Sequence, residues 1–333
     1  KVVEAPCSGQ VDVTHNYVAG LSEDPKDALL ISRRLAAFTS SRGILGRAIS
    51  LDEADIQIAF SQAAADRFNA ESAHLFARPN WMLAPWRREL TRRKAESFPI
   101  VQAAIDDLRA TEIPNDGLMN HYVNGDFATS NDAEMLTILV GLMIGAQDNI
   151  ASAAAWVLAF LAHNPHLQER ISAEVHNIGF QAQDLHQCAL LKATLAEVLR
   201  LRPPAPANQP RVLQKSVAVA GHQLPKGTFV FNSFYNMHHN AAAFPDPEAF
   251  DPERFLDGSL ALSPNYAPFG HGPRNCVAQG MAMQQLMAIV VGILREHTII
   301  AQQKTFPETL QTPFLVPSPF DVVFETRVFP VFR

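Results

Sequence analysis

The longest apolar run lies over residues 136–161 and is broken near its middle by Gln147, Asp148 and Asn149. The run is as long as a membrane span. An ionisable group at the centre of lipid is costly, however, so the run reads better as a helix buried in a protein core. The helix is predicted over 132–163. Asn131 is a candidate cap for its start. Asn164-Pro165 ends it, because proline disfavours helix at the residue before it. Residues 166–178 and 184–201 read as two further helices, and residues 1–130 as several helices with polar joints.

The pattern changes beyond residue 201. Pro203, Pro204, Pro206 and Pro210 stop the helix, since proline lacks the N–H that a helix interior needs. Residues 212–219 and 228–231 are rich in β-branched and aromatic side chains. With Gly221 and Pro225-Lys226-Gly227 as turn signals, they predict a small sheet. Residues 240–275 are Pro-rich and irregular, and so long a loop inside a compact domain is usually functional. Residues 277–295 read as a helix, and the tail alternates like strands. This order predicts a mainly α protein with a minor β part, not the repeating βαβ of a doubly wound sheet. Gly270-His271-Gly272 lacks the third glycine of a dinucleotide loop. No internal repeat appears, and one domain over 1–333 is expected.

Composition narrows the classes. The chain has 333 residues, 47% hydrophobic and 18% charged, with a formal net charge of −6. That is enough apolar material for a large core. The acidic balance argues against nucleic acid as a partner. Arg87, Arg88, Arg92, Arg93 and Lys94 follow Trp81 and Trp86 and read as a solvated helix face rather than a docking patch. Cys7, Cys188 and Cys276 are odd in number and far apart. They make no disulfide framework or metal pair, so a reducing compartment is expected. The first residue is Lys1 and no apolar signal segment opens the chain. The expected place is cytoplasmic, with an N-terminal anchor left open.

The segment richest in chemistry is Phe269-Gly270-His271-Gly272-Pro273-Arg274-Asn275-Cys276-Val277-Ala278-Gln279-Gly280. It reads as a tight loop ending at a helix start, with the cysteine at the junction. N–H groups at a helix N-terminus favour negative charge, and the thiolate is the form that ligates metal. Gly270 and Gly272 let the backbone pass close to a flat ligand, and Arg274 suits a carboxylate. Taken alone, a cysteine after a turn is more often a buried structural residue.

The segment resembles the haem-binding loop F-x-x-G-x-R-x-C-x-G of the cytochrome P450 family, matched at Phe269, Gly272, Arg274 and Cys276. Ala278 stands where the family has its last glycine. Glu197-Val198-Leu199-Arg200 resembles the family's E-x-x-R helix, and Pro252-Glu253-Arg254-Phe255 its P-E-R-F motif. Arg211, after the proline run, matches an arginine that meets a haem propionate. Gly145-Ala146-Gln147-Asp148-Asn149 resembles the oxygen-binding stretch (A/G)-G-x-(D/E)-T. These ordered blocks cover roughly 130–295. A helix with a W-x-x-x-R or H-x-x-x-R propionate clamp, usual earlier in the family, has no counterpart, and the N-terminal part of the family fold is read as not present in this sequence.

The resemblance implies a P450-type fold, with the long central helix over the haem and the cysteine loop on the proximal side. It implies haem b (iron protoporphyrin IX), with Cys276 as axial ligand to iron and Arg274 and Arg211 at the propionates. Phe269, Gly270, Gly272 and Ala278 would shape the cofactor loop. Glu197, Arg200 and Arg254 would form a buried network. Ala146 would lie against the distal face, and Asp148 would feed a proton relay. The implied reaction is hydroxylation or epoxidation of an apolar small molecule. Electrons would come from a separate redox partner, a ferredoxin with its reductase or a flavoprotein reductase. Leu139, Met143, Ala146, Asn149 and residues 205–209 would line the pocket, which fits a tailoring step in secondary metabolism as well as a catabolic one. Asn149 departs from the family's threonine, and an amide relays protons poorly. Three readings stay open: an ordinary monooxygenase, a haem-thiolate enzyme that uses peroxide or isomerises its substrate, and a degenerate binding or recruiting protein.

Overall fold

The computed structural model describes residues 7–21, 24–72, 84–111, 117–124, 131–176, 178–179, 181–311 and 314–327. Trp81 and the side chain of Cys7 lie outside them. Among the described residues, five helices precede the long one: α1 (Cys7–Ala19), α2 (Ala28–Ile44), α3 (Leu51–Ser72), α4 (Ala84–Ala110) and α5 (Met119–Val123). Strand β1 (Lys26–Asp27) runs into α2. Asp27 caps α2 by accepting the N–H groups of Leu29 and Leu30, two of the four that a helix start leaves without a partner.

The central helix is α6 (Asp132–Ala162), with the Asn131 side chain accepting the N–H of Glu134. Among the described residues it is the helix long and apolar enough to cross a membrane. Within it, Ile150 through Leu161 are buried without a break. They pack against α2, α7 (Pro165–His176), α9 (Ala189–Leu201) and α11 (Gln279–Leu294). Ser152 Oγ and Trp156 Nε1 both donate to the carbonyl of Leu315, at 2.6 and 2.8 Å. That ties α6 to β8 (Leu315–Pro317).

Several boundaries differ from the sequence reading. The predicted helix over 184–201 is two pieces, α8 (Ala182–Leu185) and α9, because Glu174 reaches across and caps α9 through the N–H groups of Leu190 and Leu191. The single small sheet is two separate antiparallel pairs. One is β2 (Arg211–Val212) with β5 (Phe229–Val230), and the other is β3 (Val217–Val219) with β4 (His222–Leu224). Gly221 and Gly227, both at positive φ, supply the turns. After β5 comes α10 (Phe234–His238) and then the long loop, which holds only short 3-10 turns. The tail contributes β6 (His297–Ala301), β7 (Thr309–Gln311), β8 and β9 (Asp321–Thr326). The largest sheet has the order β1-β9-β6, and β7 pairs with β8. The basic cluster is a solvated face: Arg92 and Arg93 both pair with Glu89 and Glu96 on α4.

Candidate functional site

The cysteine loop is shaped by two glycines and closed by one backbone bond. Gly270 and Gly272 have φ of +77° and +75°, a conformation in which a side chain is strained. A single 3-10 turn, Gly272–Arg274, lies inside the loop. The carbonyl of Phe269 accepts the N–H of Cys276 at 2.8 Å, and the Phe269 ring packs on the main core. The loop is therefore anchored by an apolar ring and carries its thiol outward: Cys276 is exposed, whereas Cys188 is buried. Burial pushes the Cys188 thiol up to about 11.

Helix α11 starts later than expected, at Gln279 with Ala278 as its cap residue. Cys276 thus stands two positions ahead of the cap. Ala278 has no side-chain oxygen to hold a longer start. Arg274, on the loop, and Arg211, on β2, are both exposed. Neither guanidinium has an ion-pair partner among the described residues. Phe234 of α10 connects the β2–β5 region to the loop, its ring tip lying 3.7 Å from where a Gly270 Cβ would stand.

On α6, Thr137, Gly141 and Gly145 form an exposed stripe at four-residue spacing, the spacing that places residues on one helix face. A Cβ built at Gly141 or Gly145 meets no atom within 4 Å. Asn149 continues the stripe, and its Nδ2 donates to the Gly145 carbonyl at 2.8 Å. Ala146 is half-buried and packs toward the apolar cluster of Ile105, Leu108 and Met119. Leu139 and Met143, expected to line a pocket, are buried within that cluster. They lie on the face of α6 that the 3.6-residue period turns away from the stripe.

Asp148 also turns from the stripe, toward α3. Its Oδ2 accepts the Ser61 hydroxyl at 2.6 Å. Burial pushes its carboxyl above the ordinary range, against the opposing pull of the Ser61 bond and the Arg33 charge. Sequence reasoning had no signal for Ser61. Gly141 was findable, because it precedes Gly145 by one helix turn.

Behind the loop lies a fully buried ion network. Glu197 and Arg200 are both 0% exposed. Arg200 donates through Nε and Nη2 to the two Glu197 oxygens at 2.7 and 2.8 Å. It also donates to the carbonyls of His238, Pro247 and Ala249 at 2.9, 2.7 and 3.0 Å. These bonds engage all five donors of a guanidinium. Glu197 further accepts from Arg254 Nε at 3.2 Å and from the Asp251 N–H at 2.9 Å. The E-x-x-R helix and the P-E-R-F turn therefore share one carboxylate.

His238 links this network to the approach of the cysteine loop. Its Nε2 accepts the Ala267 N–H at 2.9 Å, so the proton must sit on Nδ1, which donates to the Arg200 carbonyl at 3.2 Å. Burial lowers its pKa to about 4. The unfolded ring gains its proton near 6.5 and the folded ring only near 4, so the unfolded state binds more protons in between, and stability is lost as the pH is lowered through that window. The full loss is about 3 kcal/mol. His238→Gln, which preserves one donor and one acceptor but cannot titrate, is expected to remove this slope. Urea midpoints of both proteins from about pH 7.5 down to about 4.5 test it, and parallel slopes would refute the neutral-ring assignment.

The family model described as "Cytochrome P450" matches residues 67–324. The steroid 17-alpha-hydroxylase/17,20 lyase of Cavia porcellus is 33% identical over 210 residues, 60% of this chain and 40% of its own length. The enzyme of the same name from Papio cynocephalus is 32% identical over 266 residues, 74% of this chain and 51% of its own. The chain thus spans about half the length, or less, of the curated relatives it matches. A zebra fish cytochrome P450 structure with progesterone aligns at TM-score 0.78 and 21% identity, over 96% of this chain and 76% of that one. Another, with abiraterone, aligns at TM-score 0.76 and 22% identity, over 96% of this chain and 77% of that one. These two likenesses establish the fold.

Proposed function

This chain belongs to the cytochrome P450 family, whose chemistry is that of haem-thiolate oxidoreductases, and from that premise we propose that it is a monooxygenase of an apolar small molecule. The observation that carries the reading is the outward thiol of Cys276 on a closed, glycine-shaped loop. The residues present fit haem b. Cys276 offers a soft sulfur ligand. Arg211 and Arg274 offer exposed guanidinia suited to propionate carboxylates. At Gly141 and Gly145 the stripe of α6 offers open space, with no atom within 4 Å of where a Cβ would stand. When bound, a thiolate-ligated haem supplies the oxidising chemistry that this family uses on unactivated bonds.

The chain's own residues then have definite tasks. Phe269 and the two glycines hold the loop so that the sulfur is presented in one place. Asp148, held by Ser61 and pushed above the ordinary carboxylate range by burial, is the carboxyl we assign to proton transfer. Asn149, the next residue, stands on the open stripe instead. Residues 1–333 are read as one domain, and electrons are delivered by a separate redox protein. The relatives named for steroid hydroxylation make a rigid polycycle the first substrate to test. Haem-loaded protein with a P450 reductase, NADPH and progesterone is expected to give the thiolate-type carbon monoxide difference band after dithionite, and an oxygenated steroid. A protein that binds haem but lacks that band overturns the thiolate assignment. A protein with the band but no NADPH-dependent oxygenation of progesterone or other apolar probes overturns the monooxygenase reading.

A second reading has an observation of its own. The Asn149 amide donates one N–H to the Gly145 carbonyl, and an amide passes protons on less readily than a hydroxyl does, which favours chemistry that needs no proton relay. Asn149→Thr separates the two. A threonine hydroxyl also bonds the carbonyl four residues back, so the helix is retained while a relaying group is gained. Product formed per NADPH is expected to rise, and hydrogen peroxide release to fall, if proton delivery limits the native enzyme. Unchanged values in an active protein would leave Asn149 a structural residue only.

A further inference from the structure

A cavity of about 510 Å³ opens on the side of the cysteine loop where neither Cys276 nor Arg274 lines the wall. It lies between α9, the loop that follows the P-E-R-F turn, and α11. Its volume is that of a small-molecule site. The floor is apolar and soft: Ala193, Ala196, Met283 and Met287 line it, and methionine adapts its shape to irregular ligands. Lys192, His186 and His271 line the same cavity, and among the described residues no Asp or Glu does. The Lys192 ammonium donates one bond to the His186 carbonyl at 2.7 Å, leaving two N–H groups of the three it carries. Asn275 and Gln279 add amide groups to the lining.

We propose that this cavity binds an amphipathic anion, a molecule with an aliphatic or polycyclic body and one carboxylate or sulfate. The body lies along Ala193, Ala196, Met283 and Met287, and the anionic head pairs with Lys192. A neutral apolar guest would leave the Lys192 ammonium unanswered, and a compact polar anion would leave the methionine floor wet. Charge and shape together select the amphiphile.

The site has a mechanical consequence. Phe269, Gly270, Gly272 and Asn275 line the cavity, and the Phe269 carbonyl is the group that accepts the Cys276 N–H. A filled cavity therefore braces the loop from behind. The proposal requires only the fold of the loop, so binding is measurable whether or not the assignment of Cys276 to haem holds.

Dodecanoate is the probe, added to the full chain and followed by calorimetry and by amide hydrogen exchange. The expected result is saturable binding with slowed exchange over residues 267–276 and 189–196. Lys192→Glu is expected to weaken binding about tenfold or more, with Lys192→Arg retaining it. Ala189→Trp, at an exposed position on the cavity wall, is expected to block entry without disturbing the fold. Dodecanol should bind distinctly more weakly than dodecanoate. The absence of binding, protection confined to residues 137–149 of α6, or affinities unchanged in both Lys192→Glu and Ala189→Trp would each overturn the proposal.

Discussion

Cys276→Ala is expected to eliminate the thiolate-type carbon monoxide difference band completely while leaving the fold at nearly its native stability. The two halves of this expectation have separate causes. The sulfur is the only soft ligand on the loop, and alanine offers iron nothing in its place. The fold should barely respond, because the Cys276 side chain is exposed and the bond that closes the loop runs from its backbone N–H to Phe269. Alanine keeps that bond. Exposed substitutions away from special backbone geometry change stability by about 0.5 kcal/mol or less. Cys188→Ala is the control: that thiol is buried and held at about 11, and its loss should leave the haem spectrum intact. Absorbance spectra of the reduced, carbon monoxide-treated variants, with urea melts in parallel, decide the matter. An unchanged Soret band and difference peak in Cys276→Ala would remove the axial ligand from this residue.

The parts of the fold legible in the sequence are those set by local rules. The long apolar run, its Asn131 cap and its Asn164-Pro165 stop locate α6 to within one residue, because a cap and a proline act on their neighbours alone. The cysteine loop was legible for the same reason, as its two positive-φ positions favour glycine and both carry it. Other features depend on which distant groups meet. The break between α8 and α9 is set by Glu174 arriving from another helix. The separation of β2–β5 from β3–β4 depends on register rather than on β propensity.

The candidate site divides along the same line. Asp148 and Asn149 are adjacent in sequence, and a motif reading gives them one environment. The helix turns them about 100° apart, so one meets Ser61 on α3 and the other meets Gly145 on its own helix. The resemblance implied Leu139 and Met143 as pocket lining, but they are buried in the core cluster on the other face of α6. Buried polar partners such as Ser61 and His238 leave no pattern in a single sequence, since their importance lies in a contact and not in a spacing.

The Glu197–Arg200 pair carries the largest expected effect on stability. In sequence it is an acid and a base one helix turn apart, which on an exposed helix contributes about 0.2–0.5 kcal/mol. In the structure both side chains are 0% exposed, and their bonds fasten α9 to three carbonyls of the segment that leads into the cysteine loop. Removing one partner strands the other charge without water, which costs about 3–5 kcal/mol. Against a total stability of about 5–15 kcal/mol, either Glu197→Ala or Arg200→Ala should yield protein that folds poorly. What folds should lose haem readily, because His238 and Ala267 hang from the same network. Arg200→Lys is the informative intermediate. It keeps the charge but has three donors where five are engaged, so it should remain soluble with a clearly lowered urea midpoint. The double variant Glu197→Ala/Arg200→Ala should lose less than the sum of the single losses, since no charge is left stranded. Soluble single variants with native melting and full haem content would show that the pair contributes no more than a surface bridge, and that the E-x-x-R helix does not hold the approach to the cysteine loop in place.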